Sequence, residues 1–151
     1  MAELKERLRA DLNAAMRARD QVRMRTLRMA LTSITNEEVA GTSARELTDD
    51  EVVRVLTREA RKRREAAEAF GAAGRSDQAA AERAEGDVLA GYLPAQLSDD
   101  ELAALIDAAI AETGASGLSG LGQVMKTVTP RIAGRADGAR VAAEVRRRLS
   151  S

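Results

Sequence analysis

Apolar residues in this chain recur at intervals of three and four. Leu4, Leu8, Leu12 and Ala15 do so first, and Met24, Leu27, Leu31 and Ile34 follow. Val53, Leu56, Ala60, Ala67 and Phe70 continue the pattern, then Leu102, Leu105, Ile106, Ala109 and Ile110, and finally Val141, Val145 and Leu149. A period near 3.6 gathers such residues on one side of a helix, whereas a half-buried strand needs strict alternation. No segment alternates convincingly, so the sequence predicts an all-α fold.

Polar punctuation divides the pattern into helices. The first is expected from about Ala2 to Arg19. Asp20 is placed to cap a second, to about Val39, closed by Gly41. Thr48-Asp-Asp-Glu51 and Ser98-Asp-Asp-Glu101 are capping-box sequences, with a hydroxyl at the N-cap and a carboxylate three residues on. They open a third helix, to about Phe70, and a fifth, closed by Gly114. A fourth runs from about Ser76 to Tyr92. A short sixth carries Leu121, Val124 and Val128 on one side and ends at Pro130 and Gly134. Asp137 caps a seventh, to about Leu149. Pro94 disfavours helix at Leu93. The expected organisation is two-lobed: residues 1–93 with about four helices, a linker at 94–98, and a three-helix lobe at 99–151.

Residue usage narrows the chemistry. The 151 residues include one Phe, one Tyr, no Trp, no Cys and no His. That removes disulfides, thiol nucleophiles, zinc sites with N/S ligands and imidazole acid–base catalysis. Neither a metal nor a cofactor is expected. The charged start, Met1-Ala-Glu-Leu-Lys-Glu6, lacks the apolar core of a secretory signal, and no apolar run approaches membrane-spanning length. A cytoplasmic protein without a membrane partner is expected.

Gly120-Leu-Gly-Gln-Val-Met-Lys-Thr127 comes near a phosphate-binding P-loop, but Met125 stands where glycine must let the backbone wrap the phosphate. Ser116, Ser119 and Lys126 match no nucleophile spacing, and nothing in the sequence supplies an oxyanion hole. The acidic runs at residues 49–51 and 99–101 sit at helix starts, where the free N–H groups and the helix dipole account for them. No catalytic residue is assigned.

Charge is the remaining signal. Asp11 and Arg63 both fall on apolar stripes, and a charge there is costly unless paired. They are expected to pair with each other, with Glu38 as the alternative partner for Arg63 and snorkelling to water as the third outcome. From Gly120 onward, Lys126, Arg131, Arg135, Arg140, Arg146, Arg147 and Arg148 oppose only Asp137 and Glu144, while Asp99, Asp100, Glu101, Asp107 and Glu112 lie just upstream. The asymmetry fits an anionic partner, and it also fits acids at helix starts with bases at helix ends. Glycines 114, 117, 120 and 122 shape a loop that either brings backbone N–H groups to a phosphate or lets two helices pack. The candidate nucleic-acid contacts are Lys126, Arg131, Arg135 and Arg140 with Gly120 and Gly122. With the stacking aromatics of single-strand readers missing, such contacts would grip phosphate and shape rather than bases.

Four segments carry a resemblance: Glu46-Leu-Thr-Asp-Asp-Glu51, Arg58-Glu-Ala-Arg-Lys-Arg-Arg64, Tyr92-Leu-Pro-Ala-Gln-Leu-Ser98, and Met125…Pro130…Gly134-Arg-Ala-Asp-Gly138. In order and over essentially the whole chain, they resemble the stand-alone GatB/YqeY family. The resemblance implies a two-part helical protein whose C-terminal part is similar to the tail of the B subunit of the glutamine-dependent aspartyl/glutamyl-tRNA amidotransferase. That tail helps hold tRNA, while the chemistry occurs in other domains. It therefore implies tRNA or another structured RNA as partner, with amidotransferase or other translation proteins as further candidates. The family's label, a carbon–nitrogen ligase with glutamine as amido-N-donor, belongs to the parent complex, and independent catalysis is not implied. The family commonly has Lys where this chain has Gln123. The competing expectation is a protein–protein adaptor without direct RNA contact.

Overall fold

A computed structural model describes residues 2–150. Among them are seven α-helices and no strand: α1 (Glu3–Ala18), α2 (Gln21–Glu38), α3 (Asp49–Ala72), α4 (Ser76–Ala90), α5 (Asp99–Thr113), α6 (Leu121–Ile132) and α7 (Gly138–Leu149), with a 3-10 turn at Leu118–Gly120. The fold is all-α. Two compact units divide between Leu93 and Pro94. Each has its own apolar core.

The caps explain the helix boundaries. Asp20 accepts from the Arg23 N–H and opens α2; both capping boxes form, at Thr48/Glu51 and Ser98/Glu101; Asp137 accepts from the Arg140 N–H and opens α7. Each such cap satisfies donors that a helix leaves free at its start and contributes about 1 kcal/mol. Gly114 closes α5 in the left-handed conformation, with φ of 66°. Two breakers act later than expected. α3 continues through Gly71 to Ala72. Pro130 lies inside α6, which ends at Ile132 before a left-handed Ala133.

In the first unit Leu8, Leu27, Ile34, Leu56 and Leu89 are fully buried, each removing apolar surface worth roughly 1.5–3 kcal/mol. The inward face of α3 is Val52, Val55, Leu56, Glu59 and Ala67, not the expected stripe with Val53, Ala60 and Phe70, which are only half-buried. The face includes Glu59, 5 % exposed, because three groups satisfy it. The Ser33 hydroxyl donates at 3.1 Å, Lys62 Nζ at 3.4 Å and Arg63 Nη1 at 3.3 Å.

The expected Asp11–Arg63 pair does not form. Arg63 Nε lies 3.2 Å from Glu85 and 3.9 Å from Glu82 on α4, in addition to its bond to Glu59. Asp11 instead accepts from the Tyr92 hydroxyl at 2.5 Å, with Arg7 3.9 Å away. Glu38 also has another partner: it accepts from Lys5 Nζ at 2.8 and 2.9 Å and from the Leu47 N–H at 3.2 Å. Both stripe charges are paired, each with one partner on its own helix and with others, Glu85 and Tyr92, that periodicity alone could not bring to it.

The second unit is simpler inside. Leu97, Leu102, Ile106, Ala109, Val124, Val128, Ile132, Val141, Val145 and Leu149 form an apolar core. Leu97 comes from the stretch expected as a linker. Its N–H donates to the Arg135 carbonyl at 2.8 Å and its side chain is buried, so residues 94–98 are part of this unit rather than a free connector.

Candidate functional site

The cations proposed from sequence all lie in the second unit, and the structure gives them different work. Arg135 follows α6 and folds back over its end. Its Nε donates to the Ile132 carbonyl at 3.2 Å and its Nη2 to the Arg131 carbonyl at 2.8 Å. The last carbonyls of a helix lack partners and carry partial negative charge, so a guanidinium there is a C-terminal cap. Arg140, in the first turn of α7, donates to the Leu97 carbonyl at 3.0 Å and to Asp99 at 2.7 Å. Leu97 is thus held through its N–H by Arg135 and through its carbonyl by Arg140, and Gln96 adds a bond to the Gly134 carbonyl at 3.4 Å. The Gln96-Leu97 end of the Tyr-Leu-Pro-Ala-Gln-Leu segment therefore meets the Gly134-Arg135 start of the Gly-Arg-Ala-Asp-Gly segment, which is a structural reason for them to occur together.

Arg131 and Lys126 are placed differently. Arg131, near the end of α6, reaches across to Glu112 near the end of α5 at 2.5 Å, and both side chains are about half exposed. The Glu112 carboxylate raises the pKa of Arg131 above its ordinary value. Lys126 is exposed on α6. At 100° per residue it lies about 140° around the helix from Arg131, so these two cations look out in different directions. The four residues do not form one cluster.

The glycine loop is tightly built. Gly120 approaches Ala115 so closely that a Cβ on Gly120 would stand 2.7 Å from the Ala115 Cβ. The Gly120 N–H donates to the Gly117 carbonyl and the Leu121 N–H to that of Leu118, forming the 3-10 turn that starts α6. Close packing is thus what Gly120 provides here. Gly122 lies in the first turn of α6, exposed, with open space where a Cβ would be. Leu118, between Gly117 and Ser119, is 56 % exposed, an apolar side chain held outward by the turn.

An arrangement that sequence reasoning missed links α5 and α7. Arg140 bonds Asp99, and Arg148 bonds Asp107 with both carboxylate oxygens at 2.7 and 2.8 Å. Both pairs join residues 41 apart in sequence, so the two helices run side by side in the same direction with ion pairs two turns apart. A groove of about 420 Å³ lies between them, floored by Leu102, Ala103 and Ala143 and edged by Asp100, Glu144 and Arg147. Arg147 and Arg148 both donate to Glu144, which holds its carboxyl at about 2, well below the ordinary value. The signal was present in the sequence as acids at residues 99, 107 and 112 and arginines at 131, 140 and 148. Their pairing needs the relative placement of α5 and α7, which no local pattern specifies.

These contacts explain the charge asymmetry by a third route. Asp99, Asp107 and Glu112 of α5 pair with Arg140, Arg148 and Arg131, and the unit as a whole carries as many acidic as basic residues. Among the described residues no group of acidic side chains is arranged to hold a metal ion, and no helix is long and apolar enough to cross a membrane.

No curated protein matches the chain. The family model described as Yqey-like protein matches residues 5–149, which takes in every helix from α2 to α7 and nearly all of α1. The chain therefore belongs to the YqeY-like family.

Proposed function

We propose that this protein is a tRNA-associated helical module, acting in the cytoplasm beside the translation machinery and not catalytic by itself. The observation that carries the reading is the position of the cations in the second unit. Lys126, Arg131, Arg146 and Arg147 are exposed on α6 and α7, and the Glu112 carboxylate that meets Arg131 is itself about half exposed. Exposed ion pairs are worth about 0–1 kcal/mol, so a phosphate can replace the carboxylate at little cost. Arg135 serves this reading indirectly, by capping α6 and fixing the turn that follows it, while Arg140 and Arg148, whose partners Asp99 and Asp107 are exposed, stand with the cations that a phosphate can reach. The resemblance to the amidotransferase tail supports RNA as the polyanion.

The test is a titration of the purified protein with tRNA at low salt. Binding is expected, and neutralising about four phosphates gives a log–log salt slope near −3 to −4. Lys126→Ala and Arg131→Ala are expected to weaken binding and to flatten the slope by about 1 each. A titration with no binding at low salt removes the proposal.

A second reading, a protein adaptor, is favoured by two observations. Each unit is as acidic as it is basic, and Leu118 is exposed on a tightly packed turn. Affinity purification that recovers a protein whose binding is lost in Leu118→Asp, with no bound RNA, favours this reading.

A further inference from the structure

We infer that α5 is an internal competitor for the polyphosphate that the arginines of α6 and α7 bind. The inference rests on the RNA reading above and adds to it a built-in restraint. Three acidic side chains along α5 each hold one of those arginines: Asp99 holds Arg140 at 2.7 Å, Asp107 holds Arg148 at 2.7 Å, and Glu112 holds Arg131 at 2.5 Å. A guanidinium presents the same fork of donors to a carboxylate and to a phosphate, so the two anions compete for one site. The α5 carboxylates are well exposed, at 98, 56 and 52 % for Asp99, Asp107 and Glu112. They can therefore swing into water without disturbing the apolar core beneath, where Leu102, Ile106 and Ala109 are buried. Each arginine is kept extended by its α5 carboxylate, with the Leu97 carbonyl also orienting Arg140 and Glu144 also orienting Arg148, and a ligand binds by exchanging the α5 anion for a phosphate. The unit carries as many acidic as basic residues, and three of the acids are these α5 carboxylates. That balance limits attraction to arbitrary polyanions while leaving the arginines in place for one whose phosphates match their spacing.

The experiment compares two variants with equal change in formal charge. One, Asp99→Asn/Asp107→Asn/Glu112→Gln, neutralises the α5 carboxylates. The other, Glu46→Gln/Glu68→Gln/Asp77→Asn, neutralises three exposed acids of the first unit. Affinity for unfractionated tRNA is measured at about 0.15 M salt, where charges farther than roughly 8 Å are screened. The α5 variant is expected to bind about three- to thirtyfold more tightly than the parent chain, from three exposed pairs released together. The first-unit variant is expected to gain at most about twofold. Circular dichroism checks that both variants are folded, and Glu112→Gln alone, with a gain of about two- to fivefold, serves if the triple variant is not. Equal gains in both variants, or no gain in the α5 variant while the parent chain binds tRNA, overturn the inference and leave the RNA reading standing. If neither the parent nor the α5 variant binds tRNA at low salt, both fall together.

Discussion

Lys5 and Glu38 meet at 2.8 Å within the first unit, with side chains only 9 and 12 % exposed, whereas Arg148 and Asp107 meet at 2.7 Å on the surface of the second, at 27 and 56 %. The distances are alike and the consequences are not. In the first unit ionic groups occupy positions that packing would otherwise fill: Lys5 ties α1 to Glu38 at the end of α2, and Ser33 of α2 donates to Glu59 of α3, which Arg63 also holds. In the second unit an apolar core already fixes the helices, and the ion pairs ring its edge. Buried pairs set which helix docks where and are costly to break. Rim pairs add little stability and are free to be exchanged. The unit with exchangeable charges is the one we assign to the ligand.

The largest expected effect tests the buried side of this contrast. Glu38→Ala leaves Lys5 without its counter-ion and the Leu47 N–H without its acceptor, and it is expected to destabilise the protein by about 3 kcal/mol. Urea denaturation measures it. The bond from Lys5 is also the main reason the Glu38 carboxyl lies below its ordinary pKa. A carboxylate depressed in the folded state contributes stability that is present above the unfolded value of 4.5 and lost as pH falls through the folded value. The stability gap between the parent chain and Glu38→Gln is therefore expected to shrink as pH drops below about 4.5. A gap unchanged down to pH 3 contradicts the assignment.

The next effect concerns packing without charge. Gly120→Ala places a methyl group 2.7 Å from the Ala115 Cβ, and overpacking of this kind costs about 1–3 kcal/mol. The turn is held by the Gly120 N–H bond to the Gly117 carbonyl, and Gly114 and Gly117 both take a positive φ. Ala115→Gly in the same chain is expected to recover most of the loss. Loss without recovery means that the glycine is needed for something other than this contact.

A third test uses the single tyrosine as a probe of the first unit's interior. Burial, then the bond to Asp11, pushes Tyr92 up from 10.0 to about 12. Its phenol absorbance is expected to titrate near that value, and Asp11→Asn to lower the midpoint only partway, since burial is the larger cause. A group raised in the folded state contributes stability that is complete below 10.0 and lost as pH rises through about 12. A midpoint at 10.0 in the folded protein would place Tyr92 in water.

Much of this fold was legible in the sequence because its signals are local. Asp20, Thr48/Glu51, Ser98/Glu101 and Asp137 act within their own first turns, and all open helices as the sequence predicts. What failed were inferences that needed distance. Arg63 and Asp11 have partners other than each other, because an apolar stripe does not say which helix lies opposite. Glu59 went unnoticed because a glutamate among arginines on α3 reads as a surface residue until Ser33 and Arg63 are brought to it. Breakers also misled: Gly71 lies inside the last turn of α3 and Pro130 inside the last turn of α6, so neither residue by itself marks the end of its helix. The cations were found by composition, but their roles were not. Arg135 as a cap on α6 and Arg140 as a tie to Leu97 depend on carbonyls, which carry no sequence signature.

The smallest expected effect is the one that decides whether the rim is exchangeable. Arg148 binds both oxygens of Asp107 and also Glu144, so by bond count it is among the best-held arginines in the second unit. If bond count governed stability, Arg148→Ala would cost as much as Glu38→Ala. Solvent screening argues otherwise: Asp107 is more than half exposed, and losing its partner returns it to water rather than stranding it. Asp107→Asn and Arg148→Ala are each expected to change stability by less than about 1 kcal/mol, and their double-mutant coupling to stay below that value. The same cycle on Lys5 and Glu38 is expected to give a clearly larger coupling. Equal couplings would mean that the α5–α7 pairs are structural clamps, and the arginines they hold would then be unavailable to any ligand.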